Sequence, residues 1–161
     1  MIKFDPEHNI KKWQDRFKRM KAETMNKIAD PVKETYIDAI EDTIKNTPAT
    51  SGETRAGWAK PLEVEGRSLA AIISPEASIL SKKDVIPKQS ALDKGMEKSI
   101  YRKEITEDTI YLETINGSAG AVYMEYGDSR TPPTAAVRQA AMTLKENVVT
   151  TISATIKEVA K

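Results

Sequence analysis

Glu125 is the carboxylate in this chain with the strongest claim to chemistry. It stands between Tyr123 and Tyr126 and is followed by Gly127-Asp128. A carboxyl group among aromatic rings can have its pKa raised, which is what a general acid requires. A carboxylate-dependent hydrolase built on Glu125 and Asp128 is therefore one option. The other is an ion pair with a nearby guanidinium, for which Arg130 and Arg138 are the candidates. Structural pairs perturb carboxylates as readily as catalysis does, and the pair is the expected role.

The remaining chemical candidates are weaker. Glu63 and Glu65 lie two apart, so on a strand they share one face, and that face is expected to be solvated rather than catalytic. His8 is the single histidine and lies among charged residues, which argues against a catalytic triad or a histidine-rich metal site. The run Gly117-Ser-Ala-Gly120 lacks the lysine and the spacing of a phosphate loop. It reads instead as a small-residue turn that brings Asn116 and Tyr123 close to a neighbouring backbone. There are no cysteines, which removes thiol chemistry and disulfides and is compatible with a reducing cytoplasm. The expectation is no catalytic residue, no metal and no cofactor.

Binding is the other chemistry available. Lys11, Lys12, Arg16, Lys18, Arg19 and Lys21 surround Trp13 and Phe17, a charge run expected to be a solvated face, with acidic protein surface or DNA as the other options. Trp13 and Phe17 share a stripe with Ile10 and Met20, so they are expected to pack inward rather than stack on bases. Overall charge is nearly balanced, 25 basic against 24 acidic residues, so no global field draws the chain to nucleic acid or membrane. The balance hides a local asymmetry: residues 1–27 carry an excess of four basic side chains and residues 28–46 an excess of three acidic ones. Such a dipole suits packing against copies of itself. Trp58, after Gly52 and Gly57, reads as a core aromatic or as an anchor between subunits.

These residues need elements to position them. In 161 residues there is room for one domain, 1–161, and its apolar fraction of 39% implies either a small polar fold or burial completed against partners. Ile10, Trp13, Phe17, Met20 and Ile28, then Val32, Tyr36, Ile37, Ile40 and Ile44, recur at helical spacing. They predict a long N-terminal helical region over 1–46, kinked or divided near Pro31. Leu62-Glu-Val-Glu65 alternates, Gly66 offers a turn, and Ser68–Ile73 reads as a returning strand. Ile100–Thr106 and Thr109–Ile115, with Glu107-Asp108 between them, predict a second hairpin. The expected fold is α+β with a four-stranded antiparallel sheet of two hairpins. Residues 74–99 read as a long partner-binding loop, with a short helix near Ala91–Lys98. A long C-terminal helix is expected over 133–161, with Val137, Ala141, Leu144, Val148, Ile152, Ile156 and Val159 along one face. No window is apolar over a membrane-spanning length, and the first residues lack the apolar run of a secretion signal.

Two irregular segments also match a known pattern. Thr47-Pro-Ala-Thr-Ser-Gly52 followed by Arg55-Ala-Gly-Trp58 resembles the opening motif of the tail-completion proteins of long-tailed bacteriophages, which include head-to-tail joining and minor tail proteins. Asn116, Tyr123-Met-Glu125-Tyr-Gly127, Ser129 and Pro132-Pro133, then Val137-Arg138, resembles the closing motif of that family. The likeness spans about Val32 to Leu144. Thr54 departs from it where leucine is common, as does the lack of an aromatic residue after Pro133.

The resemblance implies a small α+β virion subunit, assembled in the host cytoplasm, that forms a homo-oligomeric ring, typically a hexamer. The ring would cap the tail tube and meet the head-side connector, with DNA passing through its channel without specific binding. Its partners would be itself, the tail-tube protein and the connector, and not a membrane. Gly52, Arg55, Trp58, Tyr123, Glu125, Gly127 and Arg138 would be the structural and interface residues. Gly52, Trp58 and Gly127 would set loop geometry, and Glu125 with Arg138 would hold the closing loop against the last helix.

Overall fold

Apolar side chains at steps of three and four along residues 28–44 need a partner surface, and in the computed structural model the short helices that follow and the last helix supply it. The structure describes residues 6–48, 52–70, 88–127, 129 and 132–159. Helix α1 runs Pro6–Asn46 without interruption, about 60 Å at 1.5 Å per residue. It passes through Pro31 as one helix rather than two. Ile37, Ile40 and Ile44 on its second half pack with Ala56, Ala59 and Leu62 and with Leu92, and Tyr36, Trp58 and Met96 close over them. That cluster is the core.

The short helices around that core are α2 (Glu53–Ala56), α3 (Lys60–Val64) and α4 (Gln89–Glu97), with α4 packed on α2. The first expected hairpin does not form among the described residues. Lys60–Val64 is helical, Glu65 ends that helix, and no strand occurs at 62–70 among the described residues. The physical reason lies in which side chains bury. Ala56, Ala59 and Leu62, three apart, are fully buried, whereas Val64, half of the apparent alternation, is exposed. Pro61 also sits in the first turn of α3, where its missing N–H costs nothing. Residues 71–73 of the expected returning strand and 74–87 of the expected loop lie outside the described residues. Residues 89–97 of that loop are α4, which turns Leu92 and Gly95 inward.

The second hairpin occurs. Strand β1 (Ser99–Ile105) pairs antiparallel with β2 (Ile110–Asn116), in register from Ser99 opposite Asn116 to Ile105 opposite Ile110. The sheet is therefore two-stranded among the described residues, not four-stranded. Thr106 closes the turn: its Oγ1 accepts from the amides of Asp108 (3.3 Å) and Thr109 (3.1 Å). A lone hairpin is marginal in water, and this one is held along α1. The Tyr36 and Tyr101 rings stack with centroids 6.4 Å apart, and the Tyr36 hydroxyl lies 2.7 Å from Thr114 Oγ1. At the tip, Asp108 pairs with Lys21.

Two further helices complete the chain. The Ala119–Tyr126 segment, expected to be irregular, is helix α5, and α6 runs Ala136–Val159. Helix α6 packs along α1, with the hydroxyls of Thr35 and Thr151 3.4 Å apart across the contact. Its expected stripe is only partly covered. Leu144, Val148 and Ile152 are half-buried, Ile156 is exposed, and Ala140 is buried in place of Ala141.

Glu65 ties the layers together. Its Oε1 accepts from Lys103 Nζ (2.6 Å) and the Tyr101 hydroxyl (3.3 Å), and its Oε2 lies 3.6 Å from Lys33 Nζ. Burial pushes this carboxyl up, but the Lys103 hydrogen bond and charge, with Lys33 and Tyr101, outweigh it and hold it below its ordinary value. A carboxyl depressed in the folded state contributes stability above its unfolded pKa and loses it as pH falls through the folded one.

Urea midpoints measured from roughly pH 6 to pH 3 should therefore fall with acid in the native chain, and Glu65→Gln should remove part of that slope. The core makes a second demand. Leu62→Ala should cost about 2–5 kcal/mol and Val64→Ala within about 0.5 kcal/mol, by chemical denaturation; similar costs at both positions would contradict the helical assignment.

Candidate structural junction

The chain leaves α1 at Thr47, and residues 52–58 form a plug on the end of that helix. Thr47 is buried, its amide bonding Ile44 O and its hydroxyl Thr43 O. Arg55 is 1% exposed, and its Nε donates to Thr47 O at 2.5 Å. A guanidinium bonded to the carbonyl just past the end of a 41-residue helix lies near the negative end of its dipole. Gly52, at φ 83°, makes the left-handed entry into α2. Trp58 is half-buried and packs on the core from the end of the plug.

The downstream segment locks onto this plug through Asn116. At the end of β2, Asn116 Nδ2 donates to Thr54 O (2.8 Å) and its Oδ1 accepts from the Ser118 amide (2.9 Å). The amide lies so close to Gly57 that a Cβ there would sit 2.2 Å from Asn116 Oδ1. A Cβ on Gly120, within α5, would sit 2.3 Å from Thr54 Oγ1. A Cβ at either glycine would displace the facing side chain; at Gly57 that side chain is Asn116, held by two hydrogen bonds, so the approach there requires glycine. Ser118, which precedes α5, is buried, and its hydroxyl has no hydrogen-bond partner among the described residues.

Beyond α5 the chain turns into α6 over Glu125. Gly127, at φ 77° and ψ 177°, adopts a conformation open to glycine, and its amide bonds Tyr123 O at 2.7 Å. Glu125 is 9% exposed. Its Oε2 accepts from the Val137 amide (3.1 Å), and its Oε1 accepts from the Arg138 amide (3.2 Å) and from Arg138 Nε (2.7 Å). Arg138 Nη2 also donates to Glu125 O at 2.6 Å, and the guanidinium lies over the Tyr126 ring. One carboxylate thus caps the N-terminus of α6 and holds its first-turn arginine. Of the two candidate partners, Arg138 makes the pair; Arg130 and Asp128 lie outside the described residues.

The other sequence candidates are dispersed. Glu63 is exposed on α3 and bonds Lys60, while Glu65 belongs to the hairpin contact, so the two carboxylates do not face one site. Tyr123 is 59% exposed and does not join the junction. His8 falls in the first turns of α1, and its side chain lies outside the described ones. Trp13 and Phe17, expected to pack inward, are 56% and 63% exposed. The reason is positional: residues 10–19 are all exposed, since α1 runs on past the elements that cover its second half. Among the described residues, no group of three or more His, Asp or Glu could hold a metal, and no helix is long and apolar enough to cross a membrane.

The close approach expected of Asn116 to a neighbouring backbone occurs at Thr54 O, but Gly120 lies in a helix rather than a turn, and Thr54, marked only as a departure from the family pattern, belongs to the junction. The available signal was small residues at 117–121 beside helix formers, a pattern compatible with a tightly packed short helix. No family model, no curated protein and no solved structure compared with this chain matches it.

The two ends of the Glu125 clamp should differ in cost. Glu125→Ala removes the cap of α6 as well as the ion pair and should cost about 2–3 kcal/mol, whereas Arg138→Ala leaves both backbone amide bonds and should cost about 1 kcal/mol. Chemical denaturation of both variants and of the double variant measures this, and equal single costs would contradict the capping role.

Proposed function

We propose that this chain is a structural subunit of a bacteriophage tail, a homo-oligomeric ring at the head–tail junction that completes the tail tube and meets the head-side connector. The observation that carries the reading is the interlock of residues 52–58 with 116–127. The two segments that resemble the family's opening and closing motifs, about sixty residues apart, meet through Asn116, Gly57, Thr54 and Gly120. Asn116 and Gly57, one from each motif, hold one another, which fits a scaffold role. Glu125 fits it too, since its oxygens are engaged by α6.

The uncovered surface also supports assembly. Large apolar side chains stand exposed on six of the described elements, among them Phe17 on α1, Tyr111 on β2, Tyr126 on α5 and Met142 on α6. A chain with this distribution gains by burying several separate faces, as a subunit in a ring does with two neighbours.

A second reading rests on one observation, the exposure of Trp13 and Phe17 among basic residues. It makes the chain a nucleic-acid-binding module, with binding that weakens steeply in log salt. Native mass spectrometry of the chain, alone and with the tube and connector subunits of its virion, separates the two. A ring or a partner-bound assembly is expected. A strict monomer under all conditions, with tight and salt-steep retention on duplex DNA, would overturn the ring in favour of the second reading.

A further inference from the structure

The first part of α1 stands clear of the body. The hairpin lies along this helix, with Tyr101 at Tyr36 and Asp108 at Lys21. Seven strand residues at about 3.3 Å each match fifteen helical residues at about 1.5 Å each, so the tip is level with Lys21. Residues 10–20 continue past it for about another 16 Å. Along that arm Ile10, Trp13, Phe17 and Met20 are exposed at the three-four spacing of a helical packing seam. Trp13 and Phe17 stand 6.2 Å apart as one ridge, and Arg16 covers the Trp13 ring. Six basic residues and one acidic residue fall within 10–21.

The hairpin has the complementary surface. Its inner face packs on α1, while its outer face presents Ile100, Ile115 and Tyr111 uncovered. Residues 99–116 carry four acidic and two basic side chains. Lys103 is taken by Glu65, and Glu104 and Glu107 form no ion pair with any described residue. The outer face is about 23 Å long and the arm's ridge about 15 Å, so one fits within the other. The chain's own arm does not reach that face, because α1 is one helix lying on the opposite side of the sheet.

We infer that the N-terminal arm of α1, residues 10–21, docks through Trp13 and Phe17 on the outer face of the β1–β2 hairpin of a second copy of this chain. Apolar surface meets apolar surface, and the arm's lysines and arginines meet Glu104 and Glu107. A second copy of the arm is the wrong acceptor, because both ridges carry the same excess of positive charge. Donor and acceptor are different surfaces, so each copy can use both and the contact can propagate around a ring. The inference deepens the ring reading, on which it rests for self-association, but not for any position in a virion.

The chain has no cysteine, so single introduced thiols report the contact directly. Chains carrying Gln14→Cys and chains carrying Glu104→Cys, mixed and oxidised, should form the mixed disulfide between copies. Trp13→Glu with Phe17→Glu, both on exposed positions, should keep the thermal midpoint of the body while the dissociation constant of the oligomer rises about thirtyfold or more, the scale of a lost hot spot. An oligomer that persists in that variant, or disulfides that form only between two chains both carrying Gln14→Cys, would overturn the arm contact and leave the ring standing. A monomeric native chain would overturn both. Binding of the arm to duplex DNA or anionic vesicles by a chain that stays monomeric would likewise overturn it.

Discussion

The C-terminal end of α1 is the constraint on which the body depends. A helix of this length leaves its last carbonyls to be satisfied, and burying that end without partners would be costly. Arg55 supplies a donor just past them, at Thr47 O, and to do so the chain must double back within eight residues of Thr47. That reversal sets Ala56, Ala59 and Leu62 opposite Ile37, Ile40 and Ile44, so the cap and the core form together. The charge is fully buried, and its hydrogen bonding makes that burial tolerable.

From that end the rest of the body is placed by close approach rather than by a large apolar core. Asn116 reads the backbone of Thr54, and Gly57 and Gly120 remove the side chains that would keep the two segments apart. Glu125 then sets the entry to α6, which returns along α1. This construction explains how so polar a chain keeps a defined shape. It also explains why much of its apolar surface, on the arm, the outer hairpin face and α5, is not consumed in the monomer.

Parts of this are legible in the residues alone. The hairpin at 99–116 follows from β-branched and aromatic residues flanking Glu107-Asp108, and both long helices follow from their apolar spacing. The clamp between Glu125 and Arg138 can be named as one of two pairings, though not its second duty of capping α6. The expected first hairpin fails because Leu62-Glu-Val-Glu65 alternates over only four residues. The helical period there is carried by alanines, whose weak apolar signal is hidden by Val64. The inward packing expected of Trp13 and Phe17 fails for a different reason. Periodicity reports which residues share a face but says nothing of what covers it.

Local sequence sets the helical spans of residues 6–46 and 136–159, the hairpin register, and the residues whose stereochemistry admits no substitute, Gly127 among them. These are fixed by side-chain period and backbone freedom within a few residues. Tertiary packing is what makes 60–64 a helix, brings Asn116 and Gly57 to one place, and lets α1 outrun the body to leave an apolar, basic arm in solvent. Those outcomes depend on which surfaces meet between segments about twenty to sixty residues apart, and the amount of covering chain available at each point is a property of the whole fold.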